Sequence, residues 1–180
     1  MKNLYVVRHC KAEGQAPDAP LTAVGVEQAD RLAEFLSDKS IDAIVSSPYE
    51  RARRTIAPLA ARIGVEIVPD ERLAERVLTD RDSPDWYEKL SKTFDDLDLC
   101  YEGGESSNAA MSRAVSAIQD ALSSGHSSIV AVSHGNLIAL LLKHFDSGMG
   151  MKEWEALSNP DVFHLAFAGD KPKIQRIWAD

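Results

Sequence analysis

The sequence is poor in cysteine, in long hydrophobic runs and in positive charge. Only Cys10 and Cys100 occur in 180 residues, and their wide separation favours two free thiols over a disulfide framework. The apolar stretch at residues 4–7 is too short for a signal peptide, and no other run approaches the length of a membrane span. These absences predict a cytoplasmic protein that has no membrane partner.

The balance of charge is acidic. There are 28 Asp and Glu residues against 20 Lys and Arg, which gives a formal net charge of −8 and a pI of about 5.1. Nucleic acids and anionic membranes attract proteins that have a basic face, so this composition argues against both as partners. A small anionic ligand would instead need a local cluster of arginines.

Short apolar segments alternate with helical patterns along the whole chain. Nearly all the expected strands are apolar throughout, which is typical of a parallel sheet covered on both faces. We therefore expect a three-layer α/β/α sandwich with a mainly parallel central sheet. No linker or internal repeat interrupts the pattern, so residues 1–180 are predicted to form one domain, with a possible lid or insert at residues 70–105. Strands are expected at residues 4–7, 41–47, 65–69, 129–133, 162–168 and 173–178.

Two helix starts are predicted from their capping residues. Thr22 is suited to the N-cap of a helix that runs to Ser37. After the second strand, Ser47 is suited to a cap, Pro48 to the first helical position and Glu50 to completing a capping box. This second helix should end before residue 64, and further helices are expected at residues 86–94, 107–122 and 137–145.

Two arginines and two histidines stand at or near the ends of the expected strands. Arg8 and His9 close the first strand, and His134 closes the strand at residues 129–133. Arg51 lies in the first turn of the helix that follows the second strand. The carboxyl ends of parallel strands share one edge of a sheet, and ligands bind there. The four side chains are therefore expected to converge.

This combination of residues is suited to phosphoryl chemistry. Two guanidinium groups offer planar donors to a phosphate, and their charge favours a neutral imidazole, which can attack phosphorus. The second histidine can donate a hydrogen bond to the oxygens of the transition state. A carboxylic acid is still needed to protonate the leaving oxygen.

Six short motifs occur in an order that resembles the histidine phosphatase superfamily, which includes the cofactor-dependent phosphoglycerate mutases. They are VRH at 7–9, LTAVGVEQA at 21–29, SSPYERARRT at 46–55, RLAE at 72–75, GGES at 103–106 and VSHGN at 132–136. The resemblance implies that His9 is the phosphorylated nucleophile and that Arg8, Arg51 and His134 complete the phosphate pocket.

The resemblance also implies that Glu75, within RLAE, is the proton donor. Glu71 and Glu102 are rivals for this role, and so is Glu105 in GGES. Glu105 is otherwise expected to brace the pocket or to cap the helix that starts at Ser107.

The chain departs from the family pattern in two places. Cys10 follows the nucleophilic histidine where the family usually has glycine. The segment from His9 to Leu21 is shortened. Gln15 stands either where longer relatives have an asparagine or where they have a later glutamine, and it is expected to bind substrate. A mutase must shield its phosphorylated histidine from water, which takes extra enclosing structure. The short segment therefore favours a phosphatase over a mutase.

We predict a metal-independent phosphomonoesterase without a cofactor, acting on a small phosphorylated metabolite as a monomer or homodimer. The alternatives are a cofactor-dependent phosphoglycerate mutase and a non-catalytic protein that binds a phosphorylated ligand. A cysteine-dependent phosphatase would need an arginine six positions after Cys10, where Ala16 stands. A zinc site is disfavoured because no close-spaced ligand pair accompanies His9 and Cys10.

Overall fold

The computed structural model describes residues 1–179 and is built around a six-stranded sheet of order β3-β2-β4-β1-β5-β6. The first four strands are mutually parallel, whereas β5 runs antiparallel to β1 and pairs with β6 in the same manner. The predicted α/β/α sandwich with a mainly parallel sheet is confirmed. The strands are β1 (Lys2–Arg8), β2 (Ala43–Ser46), β3 (Ile67–Pro69), β4 (Ser128–Ser133), β5 (Asp161–Phe167) and β6 (Pro172–Arg176).

The helices begin and end close to the residues predicted, with two exceptions. As predicted, the Thr22 hydroxyl accepts the Gly25 N–H at the start of α1, and Gly64 ends α2 in the left-handed conformation. The start of α2 differs from its prediction, and the six-residue helix α6 was not predicted. No helix within residues 1–179 is long and apolar enough to cross a bilayer. The helices are α1 (Ala23–Leu36), α2 (Glu50–Ile63), α3 (Trp86–Asp95), α4 (Ser107–Leu122), α5 (Gly135–Phe145) and α6 (Met151–Ala156).

The predicted capping box at Ser47–Glu50 is wrong. Helix α2 begins at Glu50, and its N-cap residue Tyr49 makes no side-chain capping bond. The Glu50 carboxylate instead accepts hydrogen bonds from Arg53 and Arg54, which follow it within one turn of helix. The Ser47 hydroxyl contacts the imidazole of a histidine, as described below, and so serves the site.

The two faces of the sheet bury separate hydrophobic clusters, because successive side chains of a strand point to opposite sides. Leu4 and Val6 pack with helices α4 and α5 on one face, whereas Tyr5 and Val7 pack with α1 and α2 on the other. Helices cover strand β4 on both sides, and all of its residues are buried. The carboxyl ends of β1, β4 and β2 are thus held at the centre of a rigid sheet.

The segment at residues 70–105 is irregular, as expected, but it is anchored to the core. It contains a 3₁₀ helix at Glu71–Leu73 and helix α3. Leu73, Leu90 and Phe94 are buried in the cluster that also contains α4 and α5. A function of this segment as a lid stays a prediction, and so does the assignment of the chain to a single domain.

Candidate active site

The ends of three neighbouring strands bring the predicted polar residues together. Strand β4 lies between β1 and β2, and Val132 is paired with Val7 on one side and with Ser46 on the other. The chain leaves these three strands at the same edge of the sheet. Arg8 and His9, the start of α2 and His134 therefore meet there, as the sequence predicts.

The geometry around His9 leaves one ring nitrogen available for attack. Its Nδ1 lies 2.7 Å from the backbone oxygen of Cys10, which can only accept, so Nδ1 carries the proton. The Nε2 atom then holds a lone pair, and the Nε of Arg51 donates to it over 3.3 Å. The ring centroids of His9 and His134 lie 5.1 Å apart.

Both histidines of the site are held in the neutral form. Burial lowers the pKa of His9 to about 4, and the charges of Arg51 and Arg8 act in the same direction against the hydrogen bond to Cys10. Burial likewise lowers the pKa of His134 to about 2, with further lowering by His9 and by the same two arginines. At neutral pH, the imidazole of His9 is thus neutral.

The two arginines of the site are buried or half-buried and have no carboxylate partner within residues 1–179. Arg51 is 1% exposed, and its Nη1 donates to the backbone oxygens of Gln15 and Ala16. The Nη1 of Arg8 reaches only two carbonyl oxygens, at 3.4 Å, and its buried Nε has no hydrogen-bond partner within residues 1–179. Burial lowers the pKa of both groups, with Glu75 acting in the opposite direction. The site therefore holds positive charge that an anion would neutralise.

Gly135 allows the guanidinium of Arg8 to lie against the start of α5. A Cβ atom at this position would stand 3.0 Å from the Nη2 of Arg8 and 3.1 Å from its Cζ and Nε. Such contacts are tighter than side chains normally make, so the arginine would have to move. Gly135 therefore contributes to the site because its lack of a side chain leaves space for the Arg8 guanidinium.

His134 is fully buried and is oriented by Ser47. Its Nε2 lies 2.8 Å from the Ser47 hydroxyl, which itself accepts the N–H of Tyr49 over 3.2 Å. The hydroxyl hydrogen is then available to donate to Nε2, which places the imidazole proton on Nδ1. The Nδ1 atom has no hydrogen-bond partner among the described residues.

Glu75 approaches the site from the loop after the 3₁₀ helix. Its carboxylate accepts the N–H groups of Asn136 and Leu137 over 3.1 and 2.9 Å, at the start of α5, together with that of Arg76. Burial raises its pKa, although these hydrogen bonds and the charge of Arg8 oppose the change. A carboxyl group whose pKa is raised is suited to protonating a leaving group.

The rival glutamates lie elsewhere. Glu71 is exposed, the Glu102 carboxylate is paired with Arg81 at 2.6 Å, and Glu105 is paired with Arg113 at 2.8 Å. The Gln15 side chain is exposed, and only its backbone oxygen contacts the site, through Arg51. Roles for Glu75 as acid and for Gln15 as a substrate contact stay predictions.

Cys10 fits its position without backbone strain. Its N–H donates to the Thr55 hydroxyl over 2.8 Å, and Ser40 is the one residue other than glycine that has a positive φ within residues 1–179. Burial raises the pKa of the Cys10 thiol to about 12, which makes it a poor nucleophile at neutral pH. Cys10 and Cys100 are both free, as predicted.

The loop after α6 contributes contacts that the sequence did not reveal. The Nδ2 of Asn159 donates to the backbone oxygen of His9 over 3.0 Å, and the oxygens of Leu157 and Ser158 face Arg8. The motifs that carry the resemblance end at residue 136. An Asn-Pro pair is an ordinary turn signal, so no pattern in the sequence marked this loop as part of the site.

Comparison with known proteins identifies the family. The model of the histidine phosphatase superfamily (branch 1) matches residues 4–180. The chain therefore belongs to this superfamily, and the resemblance inferred from the six motifs is confirmed.

The chain is similar to several phosphatases, and each match covers most of both chains. The chain is 27% identical to a Hydrogenobacter thermophilus protein provisionally named phosphoserine phosphatase 2, over 97% of this chain and 94% of that protein. It is 27% identical to the uncharacterized phosphatase PhoE of Bacillus subtilis, over 92% and 84%. The solved structure of the mycobacterial glucosyl-3-phosphoglycerate phosphatase in complex with VO3 superimposes with a TM-score of 0.81, at 25% identity and 98% coverage of both chains.

Proposed function

We propose that this protein hydrolyses small phosphate monoesters through a phosphohistidine at His9. One observation carries the proposal: a neutral histidine whose Nε2 holds a lone pair lies beside two arginines that have no carboxylate partner among the described residues. In an acidic protein, burying uncompensated guanidinium charge is costly unless an anion is bound there. A phosphoryl group is an anion that the nearby imidazole can also accept.

The first step transfers the phosphoryl group to the protein. The Nε2 lone pair of His9 attacks phosphorus while the bond from phosphorus to the leaving oxygen breaks. Arg8 and Arg51 bind the equatorial oxygens, and His134 donates its Nδ1 hydrogen to one of them. Glu75, whose pKa burial raises, acts in its protonated form: it gives its proton to the leaving oxygen and becomes a carboxylate.

The second step releases phosphate. The Glu75 carboxylate takes a proton from a water molecule, whose oxygen attacks the phosphohistidine. The bond from phosphorus to Nε2 breaks, and inorganic phosphate and neutral His9 are formed. The residues therefore return to their starting state without any external reductant, oxidant or second substrate.

The similar proteins bear out a phosphatase that acts on small phosphorylated substrates. One is named for glucosyl-3-phosphoglycerate and another, provisionally, for phosphoserine, both of which are small monoesters. An Escherichia coli relative that is named only as a probable phosphoglycerate mutase matches 42% of this chain, at 37% identity over 82 residues. Hydrolysis is therefore the reaction that we assign.

A screen of phosphate esters tests the proposal. The purified protein should release phosphate from several small monoesters, and the rate should survive a chelator because no step uses a metal. His9→Ala should abolish release, whereas His126→Ala, which alters an exposed histidine, should not. Turnover retained in His9→Ala would contradict the mechanism. Conversion of 3-phosphoglycerate to 2-phosphoglycerate with little free phosphate would instead establish a mutase.

We also propose a cytoplasmic location, since both cysteines are unpaired and Cys100 is exposed. Fractionation of cells expressing the protein checks this directly. A monomer or homodimer remains our expectation, which sedimentation would test.

A further inference from the structure

We infer that Arg113, on helix α4, is a positioning residue that sets the place of the Glu75 carboxyl at the leaving oxygen. This inference rests on the proposed function, in which Glu75 is the general acid. Arg113 acts on Glu75 through the backbone, because no hydrogen bond joins its side chain to the Glu75 carboxylate within residues 1–179. Its charge also helps to lower the pKa of His134.

The guanidinium of Arg113 donates hydrogen bonds to three carbonyl oxygens at and just before Glu75. The Nη1 of Arg113 donates to the carbonyl oxygens of Arg72 and Ala74 over 2.7 and 2.9 Å. Its Nη2 reaches the carbonyl oxygen of Glu75 itself at 3.3 Å. The Arg72 oxygen lies in the 3₁₀ helix, whereas those of Ala74 and Glu75 lie on the irregular loop that follows it, where neither a helix nor a sheet would otherwise fix them. The loop conformation therefore depends on this side chain.

Glu105 holds Arg113 in place and extends the same support past Glu75. Its two carboxylate oxygens accept from the Nε and Nη2 of Arg113 over 3.0 and 2.8 Å. One of these oxygens also accepts the N–H of Val77 over 3.0 Å. Burial would raise the pKa of Glu105, but Arg113 and the Val77 N–H lower it overall, so the pair is charged. The backbone is thus held before Glu75 by Arg113 and after it by Glu105.

This support matters because Glu75 must meet the leaving oxygen at a fixed distance. Its carboxylate stands at the start of α5, directly after His134. A shift of about 1 Å in a reacting group can cost about 100-fold in rate. A lysine keeps the charge of Arg113 but has a single nitrogen, so it cannot reach Glu105 and three carbonyl oxygens together.

The test compares esters that differ in their need for a proton. A p-nitrophenyl leaving group departs as a stable anion, whereas an alkyl leaving group must be protonated. We expect Arg113→Lys to lower kcat/KM by about 10- to 100-fold for alkyl phosphates, within the range that general acids contribute, and to change it little for p-nitrophenyl phosphate. A plot of log kcat/KM against leaving-group pKa should therefore become steeper.

Two further variants distinguish a specific displacement of the Glu75 carboxyl from a general loss of order in the loop. Arg72→Lys is the matched control, because Arg72 ties the same loop to α4 through Ser116 and Asp120 without contacting the carbonyls of residues 74 and 75. It should leave the slope unchanged. In Glu75→Gln, addition of Arg113→Lys should cost no further activity on alkyl esters. An equal loss on all esters, the same steepening in Arg72→Lys, or additive losses in the double variant would overturn the inference.

The outcome for Glu75→Gln alone distinguishes the two proposals. If this variant does not steepen the plot, the acid role of Glu75 fails and the role of Arg113 fails with it. If it steepens the plot and Arg113→Lys does not, only the positioning role fails. Should Arg113→Lys not fold by circular dichroism, Glu105→Gln provides the same test, since it keeps an acceptor for Val77 but weakens the hold on Arg113. It should steepen the plot to a smaller degree, and an unchanged slope would overturn the inference.

Discussion

Two arginines at the strand ends, Arg8 and Arg51, and three of those in the segment at residues 70–113 are the same residue type under opposite conditions. Arg72, Arg81 and Arg113 each lie against an aspartate or glutamate, at distances of 2.6–2.8 Å. Arg8 and Arg51 have no such partner within residues 1–179, and Arg51 is more deeply buried than any of the three. Arg72, Arg81 and Arg113 stabilise the protein's own chain, whereas Arg8 and Arg51 are available to an anionic ligand.

This difference in pairing determines which arginines can contribute to binding an anion. A paired arginine has its charge neutralised before any ligand arrives, so it contributes little to recognising an anion. An unpaired, buried arginine has already lost its water, and a phosphoryl group restores the missing partner. The predictions below test this contrast in order of decreasing effect.

Loss of an unpaired arginine should have the largest effect. Arg51→Met removes the guanidinium that donates to the Nε2 of His9, and kcat/KM should fall by about 10²- to 10³-fold or more, as when one donor to a transition-state oxyanion is lost. Arg53→Met, on the same helix, removes an exposed arginine that is paired with Glu50 and should change kcat/KM by less than about twofold. Steady-state kinetics on one ester measures both, and equal losses would refute the contrast.

Crowding the second unpaired arginine should have an intermediate effect. Gly135→Ala places a Cβ about 3.0 Å from the Nη2 of Arg8, so the guanidinium must shift. We expect roughly a 10-fold or greater loss of kcat/KM, from the sensitivity of rates to small displacements. Gly169→Ala is the control, because no atom lies within 4 Å of its new methyl group. Wild-type kinetics in Gly135→Ala would show that Arg8 need not lie there.

The burial of His9, together with the charges of the two arginines, should also make stability depend on pH. The pKa of His9 falls from an ordinary value near 6.5 to about 4 in the folded protein, so between these values the unfolded chain binds more protons. Stability conferred by neutral His9 is therefore present above pH 6.5 and is lost as the pH falls towards 4. Urea unfolding at pH 7 and pH 5 should show a smaller decrease in stability for His9→Asn than for the wild type. His126→Asn, at an exposed position, should behave as the wild type, and an identical decrease in His9→Asn would contradict the assignment.

Replacing the thiol beside the nucleophile should have the smallest effect on catalysis. Cys10 contacts the site only through its backbone groups, so Cys10→Ser and Cys10→Gly should keep most turnover. The loss of a buried side chain should instead lower the stability of Cys10→Gly by about 1–2 kcal/mol, measured by urea unfolding. Cys100→Ser, at an exposed position, provides the comparison. A collapse of turnover comparable to that of His9→Ala would make the thiol a participant.

The sequence predicted those parts of the site that lie directly at strand ends. Arg8, His9 and His134 follow apolar runs, and the rule that parallel strands end at one edge is enough to bring them together. Gly135 lies in the VSHGN motif at 132–136, but its role depends on the position of the Arg8 guanidinium. No local sequence pattern predicts that position. The capping box at Ser47 was misread, because the hydroxyl has a partner 87 positions away in the chain.

The loops that support the site could not be predicted for the same reason. Asn159 and Arg113 act on His9 and Glu75 through backbone carbonyls, and such contacts leave no periodicity or spacing in the sequence. Asn159 reaches His9 because β5 returns beside β1, whereas Arg113 reaches Glu75 because α4 packs against the 3₁₀ helix. Only the folded chain shows that residues 157–159 lie beside Arg8 and His9, and that α4 lies beside the backbone of Glu75.

Trapping the phosphorylated protein tests the central claim most directly. Brief mixing with a labelled monoester, followed by an alkaline quench, should leave label on the protein that is stable to alkali and lost in acid, as expected for a phosphohistidine. Mass spectrometry should place it on the peptide that contains His9, and His9→Ala should carry none. Stoichiometric label on another residue, or full turnover with no labelled protein in the wild type, would contradict the account.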